Sequence, residues 1–207
     1  NQFTGTAVDT HNAILPFEFA SGADGNLVVT GSVDANDVTS ALATGYDLFN
    51  DSNVEEVSLL FAAPDANGSN VVANDIIGIA AARKDCMAFV SPPLEDTINN
   101  VATPVDNVIA FANNLTDSSY GFCDSGALYV YDKYNDKFRY IGASGHMAGL
   151  CANTDNVADA WFSPAGLTRG QLLGVAKLAH NPDSAGRDAL YKARVNPIVS
   201  MPGQGIL

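Results

Sequence analysis

The sequence predicts an α/β fold: a mixed sheet flanked by helices, with a β-hairpin and a β-rich N-terminal segment. Three observations carry this. Residues 37–112 alternate helix, strand, helix, strand, helix in their apolar spacing, which argues for a helix-covered layer with at least one parallel strand pair. Residues 127–141, "ALYVYDKYNDKFRYI", alternate aromatic positions on either side of Asn135-Asp136, as two strands joined by a tight turn do. Residues 1–33 hold the apolar or β-branched runs "ILPFEFA" and "NLVVTGSV", split by "SGADG". They read as the β-rich end of a preceding region, which sets a boundary before an α/β domain over 34–207.

The elements follow in order. Asp34 or Asn36 can cap a first helix, with Val38, Ala41, Leu42, Gly45, Tyr46 and Phe49 forming one apolar stripe. "EVSLLFAA" (56–63) has the length and continuous apolarity of a strand buried on both faces. Ser69 or Asn70 caps a second helix, with Val72, Ile76, Ile79, Ala80 and Arg83 on adjacent turns. "CMAFVS" (86–91) is again strand-like, and Pro92-Pro93 ends it. Pro104 starts a third helix, with Val105, Val108, Ile109 and Ala112 inward. After the hairpin, "SGHMAGLCANTD" reads as a helix and "GQLLGVAKLA" as a strand or short helix. "SAGRDALYKARV" reads as a helix and "NPIVSM" as a last strand.

Composition sets limits. A chain of 207 residues, 47% hydrophobic, can bury one good-sized core. No apolar run approaches the roughly 18–20 residues needed to cross a bilayer as a helix, so no membrane insertion is expected. The opening without Met and the ending "MPGQGIL" are read as excision from a longer chain, with the 34–207 domain incomplete at its C-terminal end. Cys86, Cys123 and Cys151 stand far apart and are odd in number, which fits buried free thiols. The net charge of −13 is uneven. Residues 1–82 hold eleven carboxylates and no lysine or arginine, whereas residues 83–207 hold twelve carboxylates against ten bases. An acidic surface repels a phosphate backbone, so direct nucleic-acid binding is not expected. The charge fits a solvated acidic face that aids solubility; the alternative is a charge-complementary surface for a basic partner, such as another copy of the same chain.

The search for chemistry finds little. Neither phosphate-loop spacing occurs, and "GASGH" (142–146) lacks the spacing of a nucleophile elbow. His11, His146 and His180 are not at metal-ligand spacing, and no calcium-loop pattern is present. No cofactor or metal site is assigned, and the chain is read as a non-enzyme. The enzymatic alternative is a thiol-dependent α/β hydrolase pairing Cys86 or Cys151 with His146, or Cys151 with His180.

The stretch "DAWFSPAGLTRG" (159–170) concentrates unusual residues. Pro164 fixes one dihedral, Gly166 and Gly170 permit tight or left-handed backbone, and Trp161 with Phe162 is expected to hold the turn on the core. Arg169 is then left to pair with a carboxylate in the same subunit or a neighbour. Together with "ARKDCMAFVSPP" (82–93), "PVDNVIAF" (104–111), "YDKYNDKFRYI" (131–141), "AGLCANTDN" (148–156), "WFSPAGLTRGQLLGVAKLA" (161–179) and "RDALYKARVNPIV" (187–199), this string resembles the contractile tail sheath proteins of bacteriophages, nearest the T-even-like group.

That resemblance implies a structural subunit located in the virion, and in the host cytoplasm during assembly. Its partners would be other sheath subunits in stacked hexameric rings, the tail tube protein and the baseplate. The sleeve assembles extended and shortens on a baseplate signal, driving the tube through the host envelope without nucleotide hydrolysis. In the family, terminal arms link neighbouring subunits. Lys133, Lys137 and Arg139 on the hairpin, with Arg169, are the candidate inter-subunit contacts. The non-enzymatic alternative is a virion surface or receptor-binding module whose acidic β-rich start recognises a receptor.

Overall fold

The structure, a computed structural model, describes residues 42–53, 55–65, 69–167 and 169–207. The expected β-rich segment 1–33 lies outside the described residues, as do Val38 and Ala41 of the first apolar stripe.

A three-stranded parallel sheet organises the chain. Strands β1 (Leu59–Phe61), β2 (Met87–Val90) and β3 (Gly121–Cys123) lie in the order β1-β2-β3, with Leu60 opposite Ala88 and Phe89 opposite Phe122. Alternation along the strands sends successive side chains to opposite faces. Leu60, Ala88 and Val90 join one cluster with Val72, Ile76, Ile79 and Ala80 of α1 (Val71–Arg83). Val108 and Phe111 of α3 (Pro104–Asn113) and Leu190 of α5 (Ser184–Lys192) complete it. A short helix, α2 (Leu94–Thr97), packs on α3. Phe89 belongs to the cluster on the other face, with Met147 and Ala148 of α4 (Ser144–Val157) and Leu128. Burying side chains such as Ile76, Phe89 and Leu128 completely stabilises the fold by roughly 1.5–3 kcal/mol each.

The second sheet is antiparallel, in the order β5-β4-β6, from β4 (Ala127–Asp132), β5 (Lys137–Gly142) and β6 (Val175–Leu178). A two-residue pair, β7 (Ser200–Met201) with β8 (Gly205–Ile206), closes the chain.

A buried polar seam joins these layers. Asp124, fully buried just past β3, accepts the Ser91 hydroxyl proton (2.6 Å) and the Gly126 N–H (3.0 Å). Ser91 Oγ in turn accepts the Ser144 N–H at the start of α4 (2.8 Å), and the Ser144 hydroxyl donates to the Ala62 carbonyl past β1 (2.8 Å). The ends of all three parallel strands are thereby tied to α4. Burial pushes the Asp124 carboxyl up to about 7, against the two hydrogen bonds that favour its charged form.

Helix α1 shows how local sequence becomes position. The buried Asp65 carboxylate accepts the Ala73 N–H (3.3 Å) in its first turn, a bond placed to satisfy an otherwise orphan donor. The helix ends with Lys84 in the left-handed region (φ 64°). At that end Arg83 donates to the carbonyls of Phe49 (2.6 Å) and Glu55 (3.0 Å) and pairs with Asp85 (2.8 Å). Its side chain is 1% exposed, and it fixes the 42–56 stretch to the sheet's helical face.

Several expectations need correction. Residues 56–63 do not form a strand buried on both faces: β1 is three residues long, and Phe61 is 52% exposed because β1 is an edge strand. Of the first apolar stripe, Tyr46 and Phe49 pack on the core but Leu42 is 47% exposed. Asn70 flanks α1 without a side-chain cap, donating instead to the Asn114 carbonyl (2.8 Å). Of "NPIVSM", only Ser200 and Met201 are in a strand.

Candidate interaction surfaces

The hairpin places three of the four candidate residues. Asp132 stops β4 by accepting the N–H groups of Tyr134 (3.1 Å) and Asn135 (3.3 Å) and the Asn135 amide (2.6 Å). The Asn135 side-chain bond, then those backbone bonds, hold the Asp132 carboxyl below the usual carboxylate range. Arg139 pairs with it across the hairpin (3.0 Å). Lys133 sits over the exposed Tyr134 ring (5.1 Å), and Lys137 is exposed opposite Asp132. One face of the second sheet carries a ladder of rings. Tyr129 lies 4.6 Å from Tyr140 and 5.2 Å from Phe138, and Tyr131 lies 5.2 Å from Phe138. Lys177 of β6 lies over Tyr129 (4.7 Å). The alternating aromatics predict the ladder; nothing local predicts that β6 would bring Lys177 to it.

The 159–170 stretch is a turn held by ring stacking. Trp161 is 78% exposed, which overturns the expectation that it fastens the turn to the core. It stacks on Phe162 (4.2 Å), and the Arg169 guanidinium lies over the Phe162 ring (5.0 Å). Gly166 has φ +104°, and a Cβ at Gly170 would come within 2.8 Å of the Gly166 nitrogen. Both positions therefore need glycine. The Gly170 N–H donates to the Gly166 carbonyl (2.8 Å) and closes the turn. No described carboxylate forms an ion pair with Arg169.

Arg169 opens onto the largest apolar depression among those described, a groove of about 790 Å³. Its floor is the outer face of α4, with Gly145, His146, Gly149, Leu150, Asn153 and Val157. Its walls are Phe61 at the sheet edge and the 169–173 segment. Val157 is 62% exposed and Leu173 78%. No aspartate or glutamate lines it. Spacings of three and four along α4 carry this second stripe, a signal that reading α4 only as a helix overlooks.

Among the described residues no thiol is hydrogen-bonded to a histidine. Cys86 is buried in the cluster on the α1 face, whereas His146 rides on α4 across the sheet. Cys151 packs at the edge of the second cluster, and His180 lies beside Pro104 and Asp183. Burial pushes all three thiols up, away from the thiolate, and pushes both histidines down. Among the described residues no group of three or more His, Cys, Asp or Glu could hold a metal ion.

Comparison with known proteins places the chain. The phage tail sheath protein central domain matches residues 31–207. The chain belongs to the phage tail sheath family. It is similar to the tail sheath protein of Enterobacteria phage T4, with 38% identity over 200 residues (89% of this chain, 30% of that protein). Its identity to the tail sheath protein of Vibrio phage KVP40 is 38% (86% of this chain, 29% of that protein) and to that of Salmonella phage ViI 32% (96% and 31%). The chain thus spans about 30% of the length of these sheath relatives. Its fold matches chains in the structures of the anti-feeding prophage baseplate (TM-score 0.53, 16% identity, 86% of this chain and 42% of that one) and of its helical sheath in the contracted state (TM-score 0.50, 18%, 86% and 43%).

Proposed function

We infer that the chain is part of the structural subunit of a contractile phage tail sheath, with residues 34–207 as its sheath-type domain. The subunits polymerise as stacked hexameric rings around the tail tube and contract from the baseplate to drive the tube through the host envelope. The family match across 31–207 carries this reading. The subunit works without a cofactor and is not an enzyme; it is a virion component that assembles in the host cytoplasm. A half-exposed Phe61 on a strand that is at the sheet edge among the described residues, together with an apolar groove, supports it, because a subunit of an assembly leaves surface for its neighbours to cover. The exposed bases Lys133 and Lys137, with Arg169, are cations for the carboxylates of adjacent subunits, and Arg139 would share its pairing with Asp132 to serve as a fourth.

Electron microscopy of the full-length protein tests this. Tubes or stacked rings whose stability falls with salt are expected. Discrete particles under every salt condition would refute it.

A further inference from the structure

We propose that the α4 groove receives the acidic 42–56 stretch of a second copy of this chain. This rests on the reading that copies of the chain assemble, and it names the two surfaces that meet.

Among the described residues the groove is left open. Phe61, Leu150, Val157 and Leu173 line it, and Phe61, Val157 and Leu173 are more than half exposed. At Gly149 a Cβ would meet nothing within 4 Å, so the helix floor lies open. Its one fixed charge is the cation of Arg169, held at the rim by the Phe162 ring with no described carboxylate beside it. In a chain with 23 acidic residues against ten basic ones, a carboxylate-free apolar groove with an arginine selects an apolar segment that carries acid.

The chain presents such a segment. Leu48 is 75% exposed and Leu42 47%. Asp47, Asp51, Glu55 and Glu56 are exposed around them, and residues 42–56 contain no lysine or arginine. Arg83, Tyr46 and Phe49 fix this stretch to the core, so little ordering is needed on binding. Tyr46 and Phe49 pack with the cluster on the α1 face, and the Tyr46 hydroxyl donates to the carbonyl of Phe61 (2.9 Å), so the stretch adjoins the groove without lining it. Because the groove and the stretch are different patches, a single contact leaves each of the two copies with one of them free, and the contact can repeat from copy to copy.

The test uses the full-length protein with a photo-cross-linking benzoylphenylalanine in place of Leu173, an exposed position where the replacement leaves the core intact. After irradiation of assembled material, mass spectrometry should find intermolecular cross-links to peptides covering 42–56. Arg169→Glu should raise the protein concentration needed for assembly about tenfold or more, and adding Asp47→Arg and Asp51→Arg should restore most of it. Assembly with cross-links elsewhere, or an unchanged assembly concentration in Arg169→Glu, overturns the inference and leaves the sheath reading standing. Failure of the unaltered protein to assemble overturns both.

Discussion

Leu60 and Phe61 are neighbours on one strand, yet Leu60 is 4% exposed and Phe61 52%. The difference comes from what covers each face of the parallel sheet. On Leu60's side α1, α3 and α5 pack over the strands and bury Leu60, Ala88 and Val90 in one cluster. On Phe61's side α4 packs on β1 and β2 but leaves the Phe61 ring half in water at the wall of the groove. Both residues are apolar, so residue type did not decide exposure; the number of covering elements did. The first face is closed around Leu60, and the second leaves Phe61 half in water.

Truncating one side chain on each face separates the two most. Ile76→Ala removes a fully buried side chain from the cluster between α1 and the parallel sheet. It should cost about 2–5 kcal/mol in urea denaturation. Phe61→Ala should cost no more than about 1 kcal/mol in the isolated protein, because half of the ring is already in water. In an assembly assay the ranking of the two should invert relative to their effects on stability. Equal losses of stability would show that the groove face is closed after all.

The seam between the two faces gives the next effect, and it depends on pH. Burial raises the folded-state pKa of Asp124 to about 7, so the folded chain holds this proton more tightly than the unfolded chain does. Its contribution is full below about pH 4, is lost as pH rises towards 7, and is constant beyond. Between pH 4.5 and 7.5 this amounts to on the order of 3 kcal/mol. Asp124→Asn imitates the protonated form, because the amide can donate to Ser91 Oγ while its oxygen accepts from Gly126. The difference between wild type and Asp124→Asn in denaturation midpoint should therefore open as pH rises through this window. A difference independent of pH would show that Asp124 keeps an ordinary carboxylate pKa.

The sequence makes some of this legible and hides the rest for physical reasons. Val72, Ile76 and Val108 announce buried helix faces because helical periodicity is local. The aromatic alternation around Asn135-Asp136 announces the hairpin because cross-strand neighbours there are close in the chain. The strand β3 escapes because "GFC" is three residues long and borrows its character from β2. Trp161 misleads because a large ring implies burial, whereas here it is met by a ring one residue away and little else. The groove escapes most completely. Its walls come from β1, α4 and 169–173, three places more than 80 residues apart at their extremes, and Arg169 reads as a turn residue until the fold puts α4 beneath it. The Asp124 seam escapes likewise, since Ser91, Asp124 and Ser144 meet only when three strand ends converge.

The smallest effect sharpens the comparison by adding atoms rather than removing them. Gly149 lies inside α4, where glycine costs roughly 0.5–1 kcal/mol relative to alanine because it has more backbone freedom to lose on folding. Nothing in the subunit stands within 4 Å of the missing Cβ. Gly149→Ala should therefore stabilise the isolated protein by about that amount, read as a higher thermal midpoint. If a neighbouring subunit packs against this floor, the same methyl group should leave assembly unimproved or weaken it, so the two measurements move apart. A subunit left no more stable, with assembly unchanged, would mean that this glycine serves neither helix nor neighbour. Gain in the isolated chain with loss in the assembly is the signature of a site held open for a partner, since a helix that only had to fold would carry alanine there.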